Sequence, residues 1–245
     1  MSSIPKIYLD KDLIFNNNIE ISGDNFHHLK NVLRLKIGDK VIVCNKEKKD
    51  YTCEIIDIDK VINTRIIEEN ISETEYPFSI KLFQAFAKGD KMETIIQKAT
   101  ELGATDIYPV LMERCVSKPD DKSINNKIQR YNKIAEGASS QSGRGIIPKI
   151  HSPINYIDAM KELKNCDIGF ICYEGENTIP IRSIFENEKD LKSIGFLIGP
   201  EGGISDKECN IADENNIAKV GLGKRILRTE TASSYVLSVI SVFFS

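Results

Sequence analysis

The chain has 245 residues, 41% of them hydrophobic, 28% charged and 7% aromatic, a globular composition that excludes a disordered chain. Net charge is −3, with 11 Lys+Arg against 12 Asp+Glu in residues 1–72 and 22 against 24 in the rest. Neither part is a bulk basic nucleic-acid-binding domain, so any RNA affinity must come from local clusters. The six cysteines contain no C-x-x-C pair, and His27, His28 and His151 form no ligand pattern with them. That excludes the usual zinc spacings and fits a reducing cytoplasm. The opening MSSIPKIYLDKD lacks an apolar leader core, and no apolar run reaches membrane-span length, so no secretory or membrane segment is expected.

In chain order, residues 5–70 read as β-rich. Val41–Cys44 and Tyr51–Ile56 are strand candidates around the polar hairpin tract Asn45–Asp50, and Val61–Ile67 adds another. Only His27–Leu35 shows helical spacing, through Leu29, Val32 and Leu33. Several short strands with one helix suggest a small barrel. The polar stretch Glu69–Pro77 reads as a linker. Beyond it strands and helices alternate: a strand over Ile80–Ala87, then a helix opened by an Asp90/Glu93 capping box, with Met92, Ile95, Ile96, Ala99 and Leu102 on one face and Gly103 as its stop. A strand follows at Ile107–Leu111 and a helix at Lys122–Ser140. Ile168–Tyr173 and Ile194–Ile198 are buried-type strands. Ser205 with Glu208 forms a second capping box, Val220–Leu222 is extended, and Thr231–Phe244 is a closing apolar helix. This alternation predicts an α/β domain, a parallel sheet covered by helices on both faces.

Two segments carry chemistry. Phe196–Ser205 runs from an apolar strand through Gly199-Pro200-Glu201-Gly202-Gly203 into a capped helix. Loops at the carboxyl ends of parallel strands bind ligands, and glycines there admit close backbone approach. Read alone, a Gly-Pro pair is only a tight turn; three glycines, a proline and a carboxylate in five residues favour a site. In Gly221–Ala232, Lys224, Arg225 and Arg228 stand beside Thr229, Glu230 and Thr231. A solvated charged turn is the bland reading. Against it, Ile226 and Leu227 interrupt the charges and are expected to anchor the loop. Thr229 or Thr231 can cap the last helix, and an arginine beside such a start suits phosphate or a developing anion. Dinucleotide and P-loop fingerprints are absent from the sequence.

Six blocks in order carry a resemblance that spans nearly the whole chain. They are His28 with Val32-Leu33-Arg34 and Gly38-Asp39; Lys88–Glu93 with Gln97–Gly103; Glu113-Arg114; Gln141–Arg144 with Pro148; Ile198–Gly203; and Leu222-Gly223 with Arg225–Ala232. In these blocks the chain resembles the ribosomal small-subunit RNA uridine N3-methyltransferases of the knotted (SPOUT) superfamily. Departures are local: Lys6 for arginine, Cys115 for serine, and Ser140 for glutamate.

The resemblance implies a PUA-like β-barrel RNA-binding domain over 1–72 and a SPOUT-type trefoil-knotted α/β methyltransferase domain over 73–245. It implies a cytoplasmic homodimer acting on 16S rRNA of the small subunit, with no membrane and no metal. Its cofactor is S-adenosylmethionine, held by Tyr173, by Leu197, Ile198, Gly199, Pro200, Glu201, Gly202 and Gly203, and by Leu222, Gly223, Arg225, Ile226, Leu227 and Thr231. Arg34, Lys88, Lys91, Arg114 and Arg144 are expected to hold RNA, although the default role of each is an ordinary surface charge.

Uracil N3–H is a weakly acidic imide, so the enzyme must remove its proton and stabilise charge spread toward O2 and O4. Arg228 is the first candidate for the second task and Arg144 the alternative. Glu230 is the candidate base, with compensation of the helix N-terminus equally open as its role. Two other readings stand beside this one: ribose 2′-O-methylation by the same superfamily, and a non-catalytic ribosome-binding factor. A phosphate-binding metabolic enzyme is a third and predicts no RNA affinity. His27 and His28 are expected in capping or core roles.

Overall fold

The computed structural model describes residues 4–11, 14–15, 17–116, 121–186 and 190–244. Met1–Ser3 and Asp12 of the opening segment lie outside the described residues. The chain divides into two compact units, residues 1–75 with 139–147, and residues 76–138 with 148–245.

The first unit is a six-stranded mixed sheet. Its strands are β1 (Lys6–Tyr8), β2 (Ile14–Phe15), β3 (Asn18–Ile21), β4 (Lys40–Cys44), β5 (Lys49–Ile58) and β6 (Ile62–Ile71), in the order β1-β4-β5-β6-β3-β2. Only β1 pairs in parallel, with β4. Alternation along the strands sends Ile19, Ile21, Val41, Val43, Cys53, Ile55 and Ile62 into one core, as the period of two requires. Two expectations are corrected here. The supposed linker from Glu69 is the end of β6: Glu68–Ile71 pair with Lys49–Thr52, and their side chains are solvated. An exposed hairpin arm reads in sequence like a loop. Likewise the helical segment is α1 (Gly23–His27) followed by a single π-helical turn, His28–Val32. Leu29 alone is buried, while Val32 and Leu33 are 66% and 40% exposed. His27 and His28 are exposed, and His27 Nδ1 lies 2.8 Å from Asn31 Nδ2.

The second unit holds eight parallel strands: β7 (Ser79–Ala85), β8 (Asp106–Leu111), β9 (Lys149–Ile150), β10 (Ile154–Asn155), β11 (Ile168–Cys172), β12 (Ile179–Pro180), β13 (Ser193–Ile198) and β14 (Ala218–Gly221). Their order is β10-β8-β7-β13-β11-β14-β12, with β9 beside β8. Helices α2 (Lys91–Glu101), α3 (Asp121–Ser142), α4 (Tyr156–Lys164), α5 (Ile181–Phe185) and α6 (Asp206–Glu214) connect them, and α7 (Thr229–Phe244) follows β14. Phe83, Val110, Met160, Leu163, Ile171 and Leu197 form one buried layer with Ala212 of α6. Met92, Ile95, Ile96 and Ala99 of α2 are buried as expected, and α2 packs along α7.

The Ser205/Glu208 capping box is present in both directions. The one at Asp90 is not. Asp90 already has helical angles, φ −78° and ψ −2°, and its side chain caps nothing. Glu93 instead pairs with Arg130 at 2.7 Å. Among the described residues no helix is long and apolar enough to cross a membrane.

Candidate active site

The parallel register decides where a ligand fits. Cys172, Ile198 and Val220 stand side by side on β11, β13 and β14. The three loops that follow therefore leave the sheet at one edge, the carboxyl end, where open α/β sheets bind ligands. They enclose a cavity of about 420 Å³, within the size range of small-molecule sites. Its walls include Tyr173, Glu174, Gly175 and Thr178 after β11. Ile198, Gly199, Pro200, Glu201 and Gly203 follow β13, and the whole run Gly221–Thr229 follows β14.

Most residues predicted for the cofactor thus meet in one place. Three do not line the cavity. Leu197 points into the core between the sheet and its helices, because side chains alternate along a strand. Gly202 faces Arg114, whose Cβ is 3.2 Å from where a Gly202 Cβ would stand. Thr231 sits in the first turn of α7, exposed and off the lining. Ile226 lines the mouth but is 86% exposed, so it anchors nothing in this chain; Leu227 is the half-buried member of the pair. Sequence reasoning did not single out Cys172, Glu174, Gly175, Thr178, Gly221, Lys224, Thr229 and Ala232 as lining residues. Cys172 lies in a segment that reads as a buried strand and Thr229 reads as a helix cap, so their second role has no signal of its own in the sequence.

Two hydrogen-bonded braces fix the glycine loop. Thr229 donates to the Gly199 carbonyl at 2.9 Å and accepts from Gln84 Nε2 at 2.8 Å, with Gln84 fully buried on β7. On the other side, Arg114 donates to the carbonyls of Gly202 and Ile204 at 3.1 and 3.4 Å. Glu113 Oε2 accepts from Ser205 Oγ at 2.9 Å, while its backbone N–H donates to Glu208. Gly203 holds φ +73° at the turn, a left-handed conformation that favours glycine.

The mouth is ionic. Lys91, from α2, donates to Glu201 at 2.7 Å and lines the cavity with Arg228. That hydrogen bond is the main reason the Lys91 ammonium binds its proton more tightly than usual. Burial pushes Glu201 up, but Lys91 outweighs it and leaves its carboxyl below the ordinary range. Glu230 follows Thr229 on α7 and is half-buried.

The remaining basic candidates are scattered. Arg34 (φ +58°) and Lys88 are exposed. Arg144 belongs to the first unit, where its side chain is 3% exposed and grips Glu75 through Nε at 3.1 Å and Nη2 at 2.5 Å. Among the described residues no cluster of three or more metal-ligating side chains occurs.

The sequence compares well with known proteins. A family model described as the RNA methyltransferase domain matches residues 74–241, and an RNA methyltransferase PUA domain matches 21–61. The chain belongs to the ribosomal RNA small subunit methyltransferase E family. The member from Bacillus subtilis is 35% identical over 90% of this chain and 88% of its own. That from Buchnera aphidicola subsp. Acyrthosiphon pisum is 33% identical over 98% and 94%. The crystal structure of a ribosomal RNA small subunit methyltransferase E from Neisseria gonorrhoeae bound to S-adenosyl methionine superposes with a TM-score of 0.86, at 29% identity over 98% of each chain. The fold is accordingly the SPOUT-type α/β methyltransferase fold with a PUA-like N-terminal part.

Proposed function

We propose that this S-adenosylmethionine-dependent rRNA methyltransferase transfers its methyl group to N3 of a uridine in 16S rRNA of the small ribosomal subunit. One observation supports this best: the cavity at the carboxyl ends of three adjacent strands, closed by glycine-bearing loops and rimmed by Arg228, Lys91 and carboxylates. The lining suits the cofactor. Ile198, Leu222 and Leu227 offer apolar surface to a purine, and Glu174, Glu201, Lys224 and Arg225 offer charges to an amino acid zwitterion. When bound, the cofactor supplies a methyl group on a sulfonium.

The chain's own residues do the rest. Gly199 and Gly203 bring backbone to the ligand, with Thr229 holding the Gly199 carbonyl and Arg114 those of Gly202 and Ile204 on either side of Gly203. Glu230 takes the imide proton, and Arg228 stabilises the charge that its loss leaves on the uracil carbonyls. Arg34 and Lys88 remain the exposed contacts for RNA backbone. Arg114 and Arg144 serve the protein's own structure. The reading includes an RNA-binding domain over 1–72, a catalytic domain over 73–245, and a cytoplasmic homodimer.

The test is methyl transfer to small-subunit particles and to free 16S rRNA, with mass analysis of the nucleosides. Label in 3-methyluridine is the expected result; label on a ribose 2′-oxygen, or none, overturns the reading. Arg228→Ala should bind S-adenosylmethionine normally and lose roughly 100- to 1,000-fold in turnover. Arg228→Lys should rescue poorly, since it lacks the planar fork.

A further inference from the structure

A buried amide stands behind the wall of the cavity. Gln84 is fully buried on β7, opposite Ile198 of β13 in the parallel register. Its Nε2 donates to Thr229 Oγ1 at 2.8 Å and to the Ala85 carbonyl at 3.3 Å. Thr229 Oγ1 in turn donates to the Gly199 carbonyl at 2.9 Å. Thr229 and Gly199 line the cavity, whereas Gln84 lies outside the lining. Gln84 is thus one residue removed from a ligand held there.

What each group can give fixes the direction of this chain of bonds. A hydroxyl has a single proton. Turned over, the Gln84 amide would set Oε1 against the Ala85 carbonyl and draw the Thr229 proton away from Gly199. With Nε2 toward Thr229, the bonds run from Gln84 through Thr229 to Gly199. The Thr229 hydroxyl is not used as a helix cap, because Arg228 holds that position and its carbonyl accepts from the N–H groups of Thr231 and Ala232. The far end of the amide shows the cost of the arrangement. Gln84 Oε1 is buried and, among the described residues, has no hydrogen-bond partner. An unpaired buried carbonyl oxygen destabilises a fold, and an apolar side chain of the same length would avoid it. Packing gives no reason for a glutamine here, since its neighbours Leu82, Phe83 and Ala85 are buried and apolar. What the amide adds is its bond to Thr229.

We propose that Gln84 is a positioning residue for S-adenosylmethionine. By donating to Thr229 it keeps the hydroxyl proton on the Gly199 carbonyl. That bond ties the loop after β13 to the start of α7, two walls of the cavity, and sets the gap between them at the width the cofactor needs. Gln84 therefore serves the loaded enzyme and not the stability of the empty fold. The inference rests on the reading that this cavity holds the cofactor, and it is independent of which atom of the RNA is methylated.

The experiment uses the full chain and S-adenosylmethionine, with Gln84→Met, Thr229→Val, Thr229→Ser, the double variant of Gln84→Met with Thr229→Val, and Gly203→Ala beside the wild type. Gln84→Met should bind the cofactor roughly 3- to 10-fold more weakly by calorimetry. Its KM for S-adenosylmethionine in methyl transfer should rise in step, while the ligand-free protein melts no earlier than the wild type. Loss of folded protein alone would lower the apparent kcat and leave Kd and KM untouched. Thr229→Ser keeps the hydroxyl and should stay nearer the wild type than Thr229→Val. Thr229→Val already breaks the relay, so adding Gln84→Met should weaken binding no further. Wild-type affinity in Gln84→Met, with or without an earlier melt, or losses that add in the double variant, would overturn the role of Gln84; weaker binding by Gly203→Ala would then leave the cavity standing as the cofactor site. Wild-type affinity in both Gln84→Met and Gly203→Ala would overturn the cavity reading, and the role of Gln84 with it.

Discussion

Gly203 and Gly202 are neighbours in one loop, yet the structure gives them different work. A Cβ on Gly203 would stand 2.4 Å from Glu174 Oε1 and on a backbone with φ +73°. An L-residue there costs about 1–2 kcal/mol in backbone strain and displaces a carboxylate that lines the cavity. On Gly202 a Cβ would meet Arg114, its Cβ at 3.2 Å and its carbonyl oxygen at 3.5 Å, outside the lining. Gly203→Ala should therefore weaken S-adenosylmethionine binding by about tenfold or more, equivalent to ~1.4 kcal/mol, and Gly202→Ala should barely change it. Calorimetry decides; equal losses, or the reverse order, would refute this division. The difference was not legible in the sequence, where the two glycines are equivalent. Neither were the long-range partners: Thr229 finds Gln84 across 145 positions and Arg144 finds Glu75 across 69. What could be read was local. The glycine loop after an apolar strand, the basic run before the last helix and the Ser205/Glu208 box all write their geometry into adjacent residues.

Among the elements, the loop after α3 shows how a basic residue in a recognisable block can be structural. Residues 139–147 belong to the first unit. Tyr8 donates to the Arg144 carbonyl at 2.6 Å, Lys6 to that of Gly143 at 3.1 Å, and the Gly145 N–H to Glu75 at 2.9 Å. Ser140 also bonds the Lys6 carbonyl. At the centre, the Arg144–Glu75 fork is buried on both sides. Burial pushes the Glu75 carboxyl up, but Arg144 and the Gly145 amide more than offset it, so its pKa ends below the ordinary carboxylate value. The sign follows from that depression. The contribution of Glu75 to stability is complete above the unfolded carboxylate pKa and is lost as pH falls through the lower, folded value. Thermal melts from neutral to acid pH should show this loss, and Glu75→Gln should flatten the acid limb while lowering stability at neutrality. Arg144→Met should cost about 3–5 kcal/mol by stranding a buried charge. An Arg144→Met protein of wild-type Tm with impaired methyl transfer would return the residue to the active site. Sequence patterning placed the longer strands and the helices α2, α3, α6 and α7, but it named none of the short strands β1, β2, β3, β9, β10 and β12 and neither α4 nor α5. It faltered where pairing rather than composition decides, at the solvated end of β6, and where one turn is π-helical, at His28–Val32.

At the scale of the molecule, the face of α7 that its own unit leaves open argues for a second copy. Over about 24 Å of helix, Val236, Leu237 and Ile240 are buried, while Thr231, Tyr235, Ser238 and Val242 recur at intervals of four, three and four on the exposed side. Tyr235 and Val242 are 40% and 82% exposed. Phe243, though 41% exposed, already leans on Phe185, and Phe244 on Phe78 and Phe185, so the helix end is fixed and its stripe is presented on a rigid support. A row of two exposed apolar side chains and two small hydroxyls on a helix can pack on its own copy about a two-fold axis, and a stable dimer needs roughly 800 Å² from each partner, more than one side-chain row supplies. The loops beside α7, with Ile226 86% exposed at the cavity mouth, would have to join the interface, which puts the partner next to the active site. Light scattering at micromolar concentration should give twice the 27.6 kDa chain mass. Tyr235→Glu combined with Val242→Glu should give single chains with unchanged circular dichroism, because the buried face is untouched, and methyl transfer should fall with the dimer. A wild-type monomer that turns over normally would show that α7 meets only solvent and that each subunit carries a complete site.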